Sequence, residues 1–322
     1  MEISVVIIGR NCETLLTNNY VNRPHDELSF AKEIIYVDSN SQDNSIAIAK
    51  QLNWKVISLS SNSRLSAAAG RNVGAKHANG DYILFMDCDM VLNLEKSITI
   101  NDLINKHIEG PTVGIGGLTL DIFDNGDERL RLKRNNDGEK SDTFGGFVLL
   151  QKKALLEIGN WNPNVIANEE NELYARLLKN NYNVVLSRQM LNQHYTDNPK
   201  LSIQLLNLYL PLTSKAKKFY GAPGMGLKSA VKHGSAYQYL YYFNSETILS
   251  FIVFLLAITT LFLKIALGYK LLIILLMLGF LVFWTLKKRS IFFLLLCPSY
   301  FMQLIIGYFK YQDKEVIYKV LN

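Results

Sequence analysis

The run Gly80-Asp81-Tyr82-Ile83-Leu84-Phe85-Met86-Asp87-Cys88-Asp89 constrains this chain more than any other stretch. Residues 81–86 have the composition of a buried strand and lead straight into two carboxylates spaced i, i+2. Side chains two apart on a strand share a face, so Asp87 and Asp89 would stand together at its mouth. Two half-buried anions about 7 Å apart repel each other unless a cation lies between them. A divalent ion shared with a diphosphate resolves that repulsion, because hard cations take oxygen ligands from carboxylates and substrate phosphates. An isolated D-x-D is more often a polar exit from a strand, so its neighbours decide.

Strand and helix signals alternate through the first half. Residues 3–8 form an apolar run ended by Gly9, and residues 33–37 a second one ended by Asp38-Ser39-Asn40-Ser41. Asp43 or Asn44 can cap a helix over 45–52, followed by a strand at 54–59. Residues 66–78 are Ala-rich and helical in propensity despite Gly70 and Gly74. After the 81–86 strand come a helix near 94–108 and a strand at 112–120. Alternation of this kind predicts an α/β fold, a mostly parallel sheet with helices on both faces. Ligands bind such sheets beyond the carboxyl ends of the strands. Gly9-Arg10-Asn11, Asp38-Ser39-Asn40 and Asp87-Cys88-Asp89 would all lie at that edge.

Charged residues 121–142, with Gly126 and Gly138, read as a mobile loop, a lid over the site. A strand at 144–150, a short helix at 153–158 and a turn at 159–163 follow. Residues 168–179 have helical spacing, with Glu169, Glu170 and Glu172 in a first turn where the helix dipole favours acids. A strand at 183–186 then precedes His194.

Beyond residue 199 the character changes. Residues 1–199 carry a net charge of −5 and residues 200–322 a net +11. The basic part is also the apolar part, which points to an anionic membrane surface rather than nucleic acid. Residues 200–244 read as an amphipathic juxtamembrane segment, and 245–309 as two to three membrane-spanning or embedded helices, drawn from 248–267, 271–286 and 291–309. Residues 310–322 are left as a tail. Lys287-Lys288-Arg289 places its loop, and with it the 1–199 domain, on the cytoplasmic side of the cell membrane. Cys12, Cys88 and Cys297 lack paired or metal-like spacing, which predicts a reducing compartment and no disulfide framework. The start at Met1 reads as a strand, without a signal peptide.

Several ordered motifs in the first 199 residues resemble family 2 glycosyltransferases, whose catalytic domain has the GT-A nucleotide-sugar-binding fold. Ser4-Val5-Val6-Ile7-Ile8-Gly9-Arg10-Asn11 is similar to the opening strand, with Ile8 and Arg10 at the positions of the family's frequent Pro and Tyr. Val37-Asp38-Ser39-Asn40-Ser41-Gln42-Asp43 resembles V-D-D-G-S-T-D, Gly70-Arg71-Asn72-Val73-Gly74 resembles A-R-N-x-G, and Asp87-Cys88-Asp89 stands at the metal-binding D-x-D. The resemblance implies that Gly9, Asn11, Asp38, Asn40, Arg71, Asp87 and Cys88 line a nucleotide sugar. It implies that Asp87, Asp89 and His194 hold Mg²⁺ or Mn²⁺, and that Gly146 and Trp161 line the acceptor. Glu169-Glu170-Asn171-Glu172-Leu173 resembles E-D-x-D-L, which makes Glu170 the base, with Glu169 and Glu172 in reserve.

The implied reaction is inverting transfer of a sugar from a nucleotide diphosphate to a hydroxyl of a lipid-linked saccharide, in cell-surface glycan synthesis. The alternatives are a polyprenyl-phosphate glycosyltransferase, which needs no base for its nucleophile, and a membrane-tethered sugar-binding protein without activity. A processive synthase would carry a Q-x-x-R-W signature, and a nucleotidyltransferase a glycine-rich loop after the first strand; the sequence has neither.

Overall fold

In the computed structural model the described residues are 1–22, 28–95, 97–131, 136–141, 143–196, 213–262 and 292–321, with scattered positions between 264 and 282. They fall into two compact units, Met1–Pro199 with Gln312–Asn322, and Lys200–Tyr311.

The first unit is built on one sheet. Its centre is parallel: β3 (Lys55–Leu59), β2 (Glu33–Asp38), β1 (Ile3–Gly9) and β4 (Tyr82–Asp87) lie side by side in that order. β1 and the apolar part of β4 are buried almost throughout, as continuous apolar runs are when helices cover both faces. The chain moves outward from β1 to β2 and β3, then returns to the other side of β1 as β4. The strand order therefore reverses between β1 and β4, where α/β sheets open a crevice. Register aligns the motifs there: Gly9 pairs with Asp38, and Ile8 with Asp87.

The sheet is mixed rather than mostly parallel. β5 (Met90–Leu94) follows β4 after only Cys88 and Asp89, too short a link for a parallel crossover, and pairs antiparallel with β9 (Asn183–Thr196). β8 (Val148–Gln151) runs antiparallel to both β4 and β6 (Thr112–Phe123). The segment expected to be a loop over 121–142 instead continues β6 to Phe123 and returns as β7 (Glu128–Leu130). The expected tail contributes β10 (Tyr318–Leu321), antiparallel to β3, which covers an edge strand otherwise open to other chains.

Helix α1 (Glu13–Leu16) and α2 (Ser45–Gln51) follow the first two strands. Ser66 caps α3 (Ala67–His77) by accepting from the Ala69 amide. Gly70 and Gly74 lie one turn apart on the α3 face that meets β1, and a Cβ at Gly74 would collide with Val6 Cγ1. These glycines weaken the helix by about 1 kcal/mol each and in return let α3 sit against the sheet. α4 (Ile100–His107) starts in a Thr99–Asp102 capping box. α5 (Lys152–Glu157) and α6 (Glu169–Lys179) complete the unit.

The second unit contains α7 (Ser214–Phe219), α8 (Ala222–Lys232), α9 (Ala236–Phe243), α10 (Ser245–Phe262) and α11 (Phe292–Lys310). α8 packs on α11 at glycines: a Cβ at Gly224 or Gly307 would collide with the backbone of Leu304 or Gly221. Lys228 Nζ sits 4.3 Å from the centre of the Tyr308 ring. Among the described residues no helix is long and apolar enough to cross a membrane. The expected 248–267 span ends, as a helix, at Phe262, while the 271–286 span and residues 200–212 lie largely or wholly outside the described residues.

Gly74→Ala should lower stability by about 1 kcal/mol or more, because overpacking against Val6 outweighs the gain in helix propensity. Urea unfolding midpoints measure it; an unchanged or raised midpoint would mean that α3 does not need the close approach.

Candidate active site

The loop after β2 is organised by Asp38. Its carboxylate is fully buried and accepts from the Ser41 amide at 2.9 Å, from the Ser41 hydroxyl, and from Ser58 Oγ at 3.4 Å. Asn40 turns this loop with a φ of 60°, and Asn11 turns the loop after β1 with a φ of 54°, the left-handed region that Asn tolerates. The two loops are tied together. Ser39 N donates to Gly9 O at 2.8 Å, Asn11 N to Ser41 Oγ at 2.8 Å, and Gln42 N to Asn11 Oδ1 at 2.9 Å. Gly9, Asn11, Asp38 and Asn40 thus meet at the ends of β1 and β2, on one side of the crevice.

Cys88, expected beside the nucleotide, is 7% exposed and disulfide-bonded to Cys12, with a Cα–Cα separation of 6.4 Å. This corrects the expectation of unpaired cysteines. Spacing in sequence hid the pair because 76 residues separate two loops that the parallel β1–β4 pairing makes neighbours. The bond pins the D-x-D turn to the loop after β1. A Cβ on Gly9 would collide with both sulfurs, so Gly9 makes room for the disulfide.

Arg71, one residue past Gly70 on α3, is 1% exposed. Nη2 donates to Asp87 Oδ1 at 2.8 Å, Nη1 to Glu169 Oε1 at 2.7 Å, and Glu170 Oε1 lies 3.6 Å from Nη1. Its guanidinium carbon lies 5.0 Å from the Trp161 ring centre. Burial opposes its charge, but Asp87, Glu169 and Glu170 outweigh burial and hold its pKa above the ordinary guanidinium value. A Cβ at Gly146 would collide with Arg71 Nη2. Gly146 thus faces the Arg71–Asp87 pair. Trp161, expected at the acceptor, is wholly buried beneath Arg71 and against Phe85, so its role runs through Arg71. Asn72 and Asn160 fix that turn: Asn72 Nδ2 donates to Trp161 O at 2.6 Å, and Asn160 Nδ2 to Asn72 O at 3.0 Å.

The three glutamates that open α6 have separate environments. Glu172 is buried in a fork with Arg176 at 2.9 and 2.6 Å, and Arg176 also donates to the carbonyls of Ile158 and Asn160. Glu172 is therefore part of the scaffold and is not free to act as a base. Glu169 is locked to Arg71. Glu170 makes only the longer approach to Arg71, and burial, then the Glu169 charge, push its pKa up to about 8. A carboxylate so poised takes a proton well near neutral pH.

Asp89 follows in the turn after β4. Its Oδ1 is enclosed without a hydrogen-bond partner, and burial, then the Asp87 charge, raise its pKa to about 6, against the pull of His194 and Arg131. His194 Nε2 lies 3.7 Å from Asp89 Oδ2. No cluster of three or more His, Cys, Asp or Glu side chains that could hold a metal occurs among the described residues. Asp89 and His194 make a pair, and Asp87 is engaged by Arg71. A carboxylate with one oxygen orphaned and the other turned toward an imidazole fits a cation that takes its other ligands from a substrate diphosphate.

Sequence reasoning missed Asp121, fully buried on β6. Burial opposes its charge, but bonds from Arg131, His194 and Arg129 hold the carboxyl far below the usual range. A lone acid within Leu118–Phe123, matched by arginines two apart at 129 and 131, was the available signal.

The α/β sheet thus opens a crevice at its strand reversal, lined by a loop-held Asp, a D-x-D turn and an Arg-bridged acid pair. Residues 4–166 match the profile of Glycosyl transferase family 2, about half of the chain, and the chain belongs to that family. The uncharacterized glycosyltransferase YfnE of Bacillus subtilis is 28% identical over 111 residues, 34% of this chain and 26% of its own length. The poly(ribitol-phosphate) β-N-acetylglucosaminyltransferase TarS of Staphylococcus aureus is 31% identical over 114 residues, 33% of this chain and 19% of its own. The matched segment thus spans about a quarter or less of these curated relatives. Mannosyltransferase PcManGT from Pyrobaculum calidifontis, solved in complex with GDP-Man and Mn²⁺, shares the fold with a TM-score of 0.54 at 12% identity, covering 96% of this chain and 87% of that one.

Cys12→Ser or Cys88→Ser should cost about 2–4 kcal/mol in urea unfolding under oxidising conditions, the usual value for closing a long loop. Added reductant should bring the wild type down to the variants; equal stability under all conditions would mean that the thiols are packed but not joined.

Proposed function

We propose that the chain is a metal-assisted, inverting glycosyltransferase that moves a sugar from a nucleotide-diphosphate donor to an acceptor hydroxyl. The observation that carries this reading is Arg71, which joins Asp87 of the D-x-D turn to the acid pair of α6. One buried charge thereby ties the donor end of the crevice to a base.

The loops after β1 and β2 present Asn40 and Asn11 to the nucleoside, on a turn that the buried Asp38 carboxylate organises. Arg71 faces the departing diphosphate, where a fixed cation stabilises charge as it forms. Asp89 and His194 are the residues that would hold a divalent cation, which when bound neutralises the negative charge on the leaving group. PcManGT, with its GDP-Man and Mn²⁺, is in keeping with that donor class. Glu170 accepts the acceptor's proton as its oxygen attacks C1 from the face opposite the leaving diphosphate. The C1–oxygen bond to the acceptor forms, the bond to the diphosphate breaks, and the anomer inverts.

The second unit supports a membrane setting. α9 exposes Tyr237, Tyr241 and Tyr242, α10 exposes Ile252, Leu255, Leu256 and Phe262, and residues 200–322 carry a net +11. Tyrosines and apolar side chains beside basic residues favour the boundary of an anionic bilayer. A lipid-linked saccharide is the acceptor class that such a setting offers.

A scan of UDP-, GDP- and dTDP-sugars for turnover, with Mn²⁺, with Mg²⁺ and with chelator, identifies the donor; no metal-dependent turnover of any would sink the reading. With the donor found, Glu170→Gln should lower kcat about 10²–10⁴-fold. Near-wild-type kcat would transfer support to a phosphate acceptor, which needs no base. Because the base works deprotonated, kcat/KM should climb about tenfold per pH unit below about 8 and level off above it. The chain should also float with phosphatidylglycerol vesicles, more weakly in high salt and less with neutral lipid; failure to bind either removes the membrane setting.

A further inference from the structure

Asp121 touches neither Arg71 nor the α6 acids, yet its carboxylate is closely held. Arg131 donates through Nε at 2.9 and 3.0 Å and through Nη2 at 2.6 Å, and Arg129 through Nη2 at 3.0 Å. His194 Nδ1 lies 2.9 Å from Asp121 Oδ1. Sheet register builds this contact. Asp121 of β6 is the parallel partner of His194 on β9, and His194 in turn pairs with Met90 at the start of β5, one residue beyond Asp89. Asp121, His194 and Asp89 therefore form a line across neighbouring strands.

We propose that Asp121 is a positioning residue. It fixes His194 as the Nδ1–H tautomer and turns the Nε2 lone pair toward Asp89, so that imidazole and carboxylate present one cation site. The proposal rests on the reading of Asp89 and His194 given above.

The chemistry favours this tautomer over its rival. Arg131 Nη2 also lies 3.0 Å from Nδ1, so a lone pair on Nδ1 could accept from it. That arrangement would put an acceptor lone pair against Asp121 Oδ1 at 2.9 Å and leave a protonated Nε2 whose nitrogen is 3.7 Å from Asp89 Oδ2, too far for a hydrogen bond. A protonated Nδ1 instead gives the carboxylate a donor. Arg131 still has its shorter bond to the same carboxylate. Histidines that bind metals commonly hold their second nitrogen this way, and loss of the partner weakens the metal about 10–100-fold.

The test uses the full chain labelled with ¹⁵N-histidine, in which five histidines must be resolved and His194 is assigned through His194→Gln. Two-bond ¹H–¹⁵N spectra at a pH where the ring is neutral should show the Nδ1–H form in wild type and its loss in Asp121→Asn. Mn²⁺ titrations followed by electron paramagnetic resonance, with UDP and with GDP present, should show binding about 10–100-fold weaker in Asp121→Asn. The same change in a His194→Gln background should cost nothing further. An Nε2–H ring in wild type overturns the proposal, as does Asp121→Asn binding Mn²⁺ like wild type. If His194→Gln binds Mn²⁺ normally, His194 is not a ligand, and the tautomer still judges Asp121. Should Asp121→Asn fail to fold, the wild-type tautomer alone decides.

Discussion

A single enclosed guanidinium organises this site. Asp87 and Glu169 share Arg71, Glu170 lies close by, and the Trp161 ring covers its face. Three carboxylates this close would repel one another without a fixed cation between them. Arginine suits the place because its planar fork can satisfy acids on two elements at once. The arrangement depends on backbone features elsewhere. Gly70 and Gly74 bring α3 onto β1, the Asn72–Trp161 and Asn160–Asn72 bonds hold the supporting turn, and glycine at 146 leaves room for the guanidinium.

From that hub follows a division of labour among acids of one helical turn. Glu169, Glu170 and Glu172 are nearly indistinguishable in sequence, and all three favour a helix N-terminus. Environment separates them: Glu172 is neutralised by Arg176, Glu169 by Arg71, while Glu170 is half-buried with only a longer approach to Arg71. The group with the least satisfied charge is the one free to exchange a proton. Asp89 and Asp87 differ in the same way, the first with an orphaned oxygen and the second bound to Arg71.

Much of this was legible from residue patterns, and the limits were physical. β1, β2, β4, α3 and α6 announce themselves by periodicity, and register then places Gly9, Asp38 and Asp87 at one edge. β5 is too closely joined to β4 to be read as a separate element, and β7 and β10 are short, charged or half-exposed strands whose existence depends on the strand they join. The Cys12–Cys88 bond and the Asp121–His194 contact join residues that only the three-dimensional pairing makes neighbours. Local pattern cannot supply such contacts; strand order does. Of the stretches read as membrane helices, 248–267 and 291–309 overlap helices at Ser245–Phe262 and Phe292–Lys310, and among the described residues neither is long and apolar enough to cross a membrane.

Replacing Arg71 by lysine tests the central claim most directly, since lysine keeps the charge but has a single head group that cannot grip Asp87 and Glu169 together. With a folded variant confirmed by an intact unfolding transition, sugar transfer should fall by about 10²-fold or more in kcat, the scale expected when reacting groups lose their alignment. Wild-type kcat in Arg71→Lys would contradict the claim that one shared guanidinium aligns donor and base.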